Sequence, residues 1–390
     1  MSSSVEGVRG DVAEGFGAVH DAFRDALAGD AGSGAALSIR RDGELVVDLA
    51  GGVAQPRTGA PWTLDTPSVI FSCTKGLMSV LVARLVEEGR LGYATPVAEL
   101  WPEFAAAGKE GATVRDAVSH RAGLPAPRTD WTPADILDWD RATALLAAET
   151  PLFAPGSAWS YHAITHGWLT GELVRRVTGE TPGAYFARTV TGPLGADAWI
   201  GLPAAEQDRV AHLQVGGTLA ALVAEQRAAY EAGASVWPYR AMTLGGALPP
   251  ELVGEDAGFN RADVRAAQIP GAGGVSTAHA LATIWSAVVA ETGGVRLLGD
   301  EILTRATEVQ SEGAPYFPVP WPWPRWGMGF QLDSEARRYL GSSSLGHDGA
   351  GGQVAFADRD AKVGFAFLTN RMEAVDDRAT RIVDALRAVL

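Results

Sequence analysis

Residues with strand character collect at the two ends of this chain, and the long stretch between them reads as helix and loop. Near the N-terminal end, Ala35-Ala36-Leu37-Ser38-Ile39 and Glu44-Leu45-Val46-Val47-Asp48-Leu49 flank Arg40-Arg41-Asp42-Gly43. Asp-Gly between two β-rich runs is a hairpin signal, because the tight turn needs positive φ. Near the other end, residues 353–357 and 362–369 flank Asp358-Arg359-Asp360, a second hairpin. Hairpins join antiparallel neighbours, whereas parallel strands need long crossovers. The chain therefore predicts an α/β (α+β) fold. Its antiparallel sheet is built from 1–95 and 266–390 and flanked by helices, and 96–265 inserts as a mostly helical domain. At roughly 150 residues per domain, 390 residues suffice for two to three such units.

Local signals fill in the elements. Apolar residues at helical spacing from Val12 to Leu27 predict a helix over 10–29. Residues 68–71 read as a strand running into a helix over 73–88, which Gly89 stops. Thr113-Val114-Arg115-Asp116 resembles a capping box, and Thr181-Pro182 an N-cap with proline at the first helical position. Further helices are expected over 166–177, 278–290 and 378–390, and strands over 328–332 and 344–347. In 315–326 the prolines forbid helix and the aromatics argue against disorder.

Composition narrows the partners. Lys and Arg number 32 against 46 Asp and Glu, a formal charge of −14, which is a poor match for a phosphate backbone. Only three of the basic residues are lysines: Lys75, Lys109 and Lys362. A single cysteine, Cys73, allows no intrachain disulfide and no cysteine-based zinc site. His-Glu-x-x-His and His-x-His do not occur. His162 and His166 lack a third ligand and read as pocket-wall or surface residues, so neither metal nor cofactor is expected. The N-terminus shows no secretory pattern and the C-terminus no lipidation box, and no apolar stretch reaches the roughly 18 residues that span a bilayer. A soluble cytoplasmic protein acting on a small molecule, without nucleic acid or membrane, is the expectation, and the sequence carries no signal for oligomeric state.

Three stretches carry chemistry. Ser72-Cys73-Thr74-Lys75 fits Ser-x-x-Lys where a strand runs into an apolar helix. A serine hydroxyl needs an adjacent base to become a nucleophile. Residues three apart share a helix face, so Lys75 can reach Ser72, and burial lowers a lysine toward the neutral amine such a base must be. With 19 serines and three lysines, chance supplies roughly 0.15 matches to so short a motif. Tyr161, in Trp159-Ser160-Tyr161-His162-Ala163, can share a proton with that lysine; a neighbouring ammonium would depress it toward a phenolate base. Gly346-His347-Asp348-Gly349-Ala350-Gly351-Gly352 closes a predicted strand, where an exposed N–H can join that of Ser72 as an oxyanion hole. The 315–326 run reads as an apolar wall of the pocket, with Trp321, Trp323 and Trp326 as contacts, or else as a surface packing element or oligomer contact. Cys73 reads as a buried packing residue, and the Gly-x-Ser-x-Gly elbow of α/β-hydrolases does not occur.

In this order, and with residues 113–124, Gly273-Gly274-Val275-Ser276-Thr277-Ala278 and Trp326-Gly327-Met328-Gly329-Phe330, the chain resembles the serine β-lactamase and penicillin-binding-protein superfamily. Within it the chain is most similar to family VIII carboxylesterases, relatives of class C β-lactamases. The resemblance implies Ser72 as acylated nucleophile, Lys75 as its base, and Tyr161 as partner acid or base. It sets His347-Asp348-Gly349 where β-lactamases carry Lys-Thr-Gly, with Ala350 giving the second oxyanion N–H. Ala163 replaces the Asn of Tyr-x-Asn, and His347 replaces a lysine that would hold a substrate carboxylate. Both departures, with the acidic net charge, favour neutral esters of short to medium acyl chains over β-lactams. An acyltransferase, a β-lactamase, a D-amino-acid amidase or peptidase, or a non-catalytic acyl-binding protein are the alternatives such a chain leaves open.

Overall fold

In the computed structural model, residues 7–28 and 32–390 are described. The main sheet has nine strands, all antiparallel, in the order Val8–Val12, Glu44–Gln55, Gly34–Arg41, Val363–Thr369, Gln353–Asp358, Ser344–Gly349, Gln331–Leu332 and Arg325–Trp326, with Ala60–Pro61 added beside Glu44–Gln55. Its seam is the seven-pair ladder from Ala35↔Thr369 to Arg41↔Val363, where the two ends of the chain meet. The expected hairpin turn is present, with Asp42 at φ 51 and Gly43 at φ 85.

The two faces of this sheet differ in side-chain size, and the difference decides what packs on each. Leu37, Ile39, Phe356, Phe365 and Phe367 point one way and form a core with Val19 and Phe23 of the Gly17–Leu27 helix and Ile382 and Leu386 of the Arg378–Val389 helix. The intervening positions, Ala36, Ala50, Ala355, Ala357 and Ala366, face the other way. That shallow face lets the Ala278–Val289 helix lie close: a Cβ on Gly364 would stand 2.3 Å from Ser286 N. The buried Cys73–Glu87 helix packs beside it and ends in a Schellman motif, with Gly89 at φ 68, Gly89 N–H on Val86 O and Arg90 N–H on Leu85 O.

Three expectations are corrected here. Residues 8–12 are not helical: Val8–Val12 is a strand on Glu44–Gln55, and the helix begins at Gly17. Only Val12 of this strand belonged to the expected helical spacing, and the strand packs so closely that a Cβ on Gly10 would stand 1.9 Å from Asp48 O. The strand expected over 328–332 shrinks to Gln331–Leu332, since Gly329 turns at φ 89. The strand expected over 68–71 stops at Val69, because Phe71 turns left-handed at φ 44.

The middle of the chain is chiefly helical. Thr113 forms the capping box with Asp116, and Thr181 caps a helix with Pro182 in its first turn. One strand there had no signal: Ala198–Ile200 pairs with Gly274–Ser276, which also pairs with Ser68–Val69. The Thr165–Thr178 helix meets the 270–271 turn backbone to backbone, and a Cβ on Gly167 would stand 1.8 Å from Gly271 N. Gly167→Ala must push these apart, and we expect it to lower unfolding stability by about 2–3 kcal/mol in urea titrations. An unchanged midpoint would contradict this packing.

Candidate active site

The left-handed turn at Phe71 ends the short strand and sets Ser72 at the N-cap of the Cys73–Glu87 helix. Phe71 is held there by an edge-to-face contact with Phe259, ring centroids 5.5 Å apart. The N–H groups of Cys73, Thr74 and Lys75 bond back to Ile70, Phe71 and Ser72. Among the described residues, neither the Ser72 nor the Ala350 N–H has an acceptor in the protein, and both residues line one cavity of about 480 Å³.

Lys75 is fully buried one turn into that helix. Its Nζ lies 2.9 Å from Ser72 Oγ, and donates to Ala163 O and Gly271 O, each at 2.6 Å. Burial pushes the amine well below its ordinary value, and the nearby Cys73 and Asp348 offset only part of this. A neutral amine has two N–H bonds and one lone pair. In its neutral form, with two hydrogens on these carbonyls, the amine turns its lone pair toward the Ser72 hydroxyl.

Tyr161 O–H donates to Ser72 Oγ at 2.9 Å from the opposite side. The phenolate expected from sequence is corrected here: burial pushes Tyr161 above its ordinary value, and the bond to Ser72 offsets only part of this. Tyr161 is a neutral donor.

His347, Asp348, Gly349 and Ala350 line the same cavity. Burial drives His347 down to about 3, so its imidazole is neutral. Its Nδ1 lies 2.6 Å from Asp348 O, which makes Nδ1 the protonated nitrogen. Asp348 is bound through Oδ2 by Arg337 Nε at 2.8 Å and Nη2 at 2.7 Å. Burial alone would raise the Asp348 carboxyl, but Arg337 outweighs it and holds the group below the usual carboxylate range. Gly349 must be glycine, since a Cβ would stand 2.4 Å from Ile70 O.

Of the tryptophans expected on the wall, Trp326 is there, its ring stacked on Tyr161 at 5.4 Å and 16°. Trp323 is not: its indole donates to Val319 O, and Trp321 is 62% exposed. The proline-rich run presents Pro315, Phe317, Val319 and Pro324 to the cavity instead. Trp237, Ala241 and Met242, which no sequence signal marked, complete the wall.

His162 and His166 are also corrected, being neither wall nor surface. Both are fully buried; Leu124 N–H donates to His162 Nε2 at 3.0 Å, and His166 Nε2 donates to Val118 O at 3.0 Å. Among the described residues no group of three or more His, Cys, Asp or Glu is arranged to hold a metal ion.

His120 had no assigned part in the sequence reading, although it lies inside the 113–124 stretch. It sits at φ 65, fully buried, with its ring 4.9 Å from that of Tyr161. Its carbonyl accepts from Ser160 N–H at 3.0 Å and its Nδ1 from His162 N–H at 3.2 Å. One residue thus clamps the backbone on both sides of Tyr161.

Ser72 Oγ thus lies between the Lys75 amine and the Tyr161 hydroxyl, on a β-lactamase-like fold of antiparallel sheet and helices. The chain belongs to the beta-lactamase family, whose sequence model matches residues 19–389. It is 34% identical over 367 residues to the esterase/beta-lactamase LipL of Mycobacterium tuberculosis, covering 92% of this chain and 81% of that protein. A family VIII carboxylesterase structure superposes with TM-score 0.85 at 34% identity, covering 98% of this chain and all of that one. A penicillin-binding protein homolog from Caulobacter crescentus gives 0.84 at 35%, covering 98% of this chain and 100% of that chain.

The clamp on Tyr161 is testable with two variants that both accept φ 65. His120→Asn keeps an acceptor near the Nδ1 position, whereas His120→Gly removes it. We expect the rate at which a fluorophosphonate labels the protein to fall roughly tenfold or more in the glycine variant, and under about threefold in the asparagine variant. Equal rates in both would refute the clamp.

Proposed function

We propose that this chain hydrolyses carboxylic esters through an acyl-enzyme on Ser72. The observation that carries the reading is the placement of Lys75 Nζ, with two carbonyls on its hydrogens and its lone pair left to Ser72 Oγ. A binding protein has no use for an activated base.

In the first half-reaction Lys75 takes the Ser72 proton as Oγ bonds to the ester carbonyl carbon. The N–H groups of Ser72 and Ala350 hold the oxyanion, which is where a water-excluding site stabilises a transition state most. The tetrahedral intermediate collapses by breaking the bond to the alkoxide, and Tyr161 protonates that leaving group. The proton that Lys75 accepted replaces the one Tyr161 gave up. In the second half-reaction water attacks the acyl carbon, losing its proton to the same pair, and Ser72 departs with a proton restored. Lys75 and Tyr161 exchange protons throughout, so any apparent pKa belongs to the pair.

The cavity supports neutral esters with short to medium acyl chains. Asp348 is the only charged side chain among the described residues lining it, and Arg337 already pairs with that carboxylate. An anionic β-lactam would find no free cation there. His347 stays neutral through the physiological range, and Ala163 offers only a methyl group. The names of the relatives, an esterase/beta-lactamase and a family VIII carboxylesterase, agree with this reading.

With p-nitrophenyl butyrate as substrate, Ser72→Ala should lose about 10³-fold or more in kcat/KM. A slow phosphonate should add its mass to a peptide containing Ser72; a label elsewhere rejects the assignment. Lys75→Arg should be as inactive as Ser72→Ala, since a guanidinium cannot shed its proton to act as base. The pH profile follows from the shifts. Lys75 is depressed, so the acid limb of kcat/KM, where the amine becomes protonated, lies below the ordinary lysine range. Tyr161 is raised, so the alkaline limb lies above the ordinary tyrosine range. A profile that rises until the ordinary lysine value near 10.4 would contradict a neutral Lys75.

A further inference from the structure

One side-chain amide on the cavity wall has its orientation locked. Gln331 lies on the short Gln331–Leu332 strand, opposite Gly346 in the neighbouring strand. Its Oε1 accepts two hydrogen bonds, from Asp348 N–H at 3.1 Å and from Tyr339 O–H at 3.2 Å. A backbone amide only donates, so the oxygen and not the nitrogen must face Asp348. Both donors are themselves anchored. Arg337 fixes Asp348, and the Tyr339 ring is stacked on Phe356 at 4.8 Å. Turning the amide over would set N–H against N–H.

Nε2 therefore points the other way. It has no partner in the protein among the described residues, and it is not among the side-chain atoms sealed from solvent. Gln331 is only 5% exposed and lines the same cavity as Ser72, His347 and Ala350, so the surface it keeps belongs to that cavity. Gln226 also lines it, but from an exposed helix where water satisfies its amide. A donor fixed in position on a largely apolar wall gains most when a ligand acceptor meets it.

We infer that Gln331 Nε2 selects esters carrying a second oxygen acceptor, a ketone, ether or amide carbonyl, a few atoms from the scissile carbonyl. The inference rests on the esterase reading and adds the substrate class. A site built to bond an acceptor discriminates against the isostere that lacks it, because its own donor is then left dry.

Two matched pairs test this in purified full-length protein, with rates normalised to alkaline hydrolysis of the same esters. p-Nitrophenyl 4-oxopentanoate against 4-methylpentanoate places the acceptor in the acyl group. 2-Methoxyethyl butyrate against butyl butyrate places it in the alcohol. We expect the acceptor-bearing ester of at least one pair to be preferred about five- to tenfold in kcat/KM by the wild type. Gln331→Glu keeps an oxygen for Asp348 and Tyr339 but replaces the donor, and should bring that preference to about onefold or below. Tyr339→Phe, which removes one of the two locks, should give an intermediate preference and serves if the glutamate variant does not fold. Equal rates within both pairs in the wild type, or a preference unchanged in the variants, overturn the inference while p-nitrophenyl butyrate is still turned over. If the wild type fails to turn over that reference ester as well, the esterase reading itself falls, and the inference with it.

Discussion

Two backbone carbonyls on one buried amine hold this site together. Ala163 O and Gly271 O stand 2.6 Å from Lys75 Nζ, and they come from segments separated by more than a hundred residues of chain. A charged lysine without a carboxylate partner is costly in a fully buried position, so burial pushes the amine toward its neutral form. The carbonyls then dictate which way its lone pair points. Much of the surrounding architecture serves that arrangement. The contact of Gly167 with Gly271 brings the second carbonyl in, the turn at Phe71 presents Ser72, and the His120 clamp holds the loop that carries both Tyr161 and Ala163.

The sheet contributes by being small on one face. Alanines and Gly364 let the Ala278–Val289 helix lie against the strands, and the Cys73–Glu87 helix fits beside it with Gly76 against Trp285, where a Cβ would stand 2.7 Å from the indole. The serine end of that helix then reaches the strand carrying His347 to Gly349, and Cys73 Sγ donates to His347 O at 3.1 Å. The lone cysteine is thus a packing and positioning contact, kept in its thiol form by burial.

What could be read from residues alone follows the range of the interactions. Ser72 and Lys75 are three apart on one helix, so their pairing is local and survives in the sequence. The hairpins at 42–43 and 358–360 are local as well. His120, Arg337 and Gln331 act on residues whose chain neighbours do not point to them, and only the folded sheet and loops bring them in. Burial is similarly invisible: a neighbouring ammonium was expected to depress Tyr161 toward a phenolate, and its burial reverses the direction. In the proline-rich run the prolines exclude a helix but do not say which ring turns inward, and Trp326 does so while Trp323 does not. At 10–12 the expected helix overran a stretch that pairing with a distant strand claims.

The protonation state of Lys75 is the most direct test. The chain has only three lysines, so protein labelled with ¹³C and ¹⁵N at lysine gives a spectrum simple enough to assign with Lys75→Arg and Lys109→Arg variants. Lys362, exposed beside Asp42, is the internal comparison. The account predicts that at pH 7 the Lys75 ζ-nitrogen and ε-carbon carry the shifts of a neutral amine, and move toward those of an ammonium only on acidification. A Lys75 signal that matches Lys362 at neutral pH would contradict it.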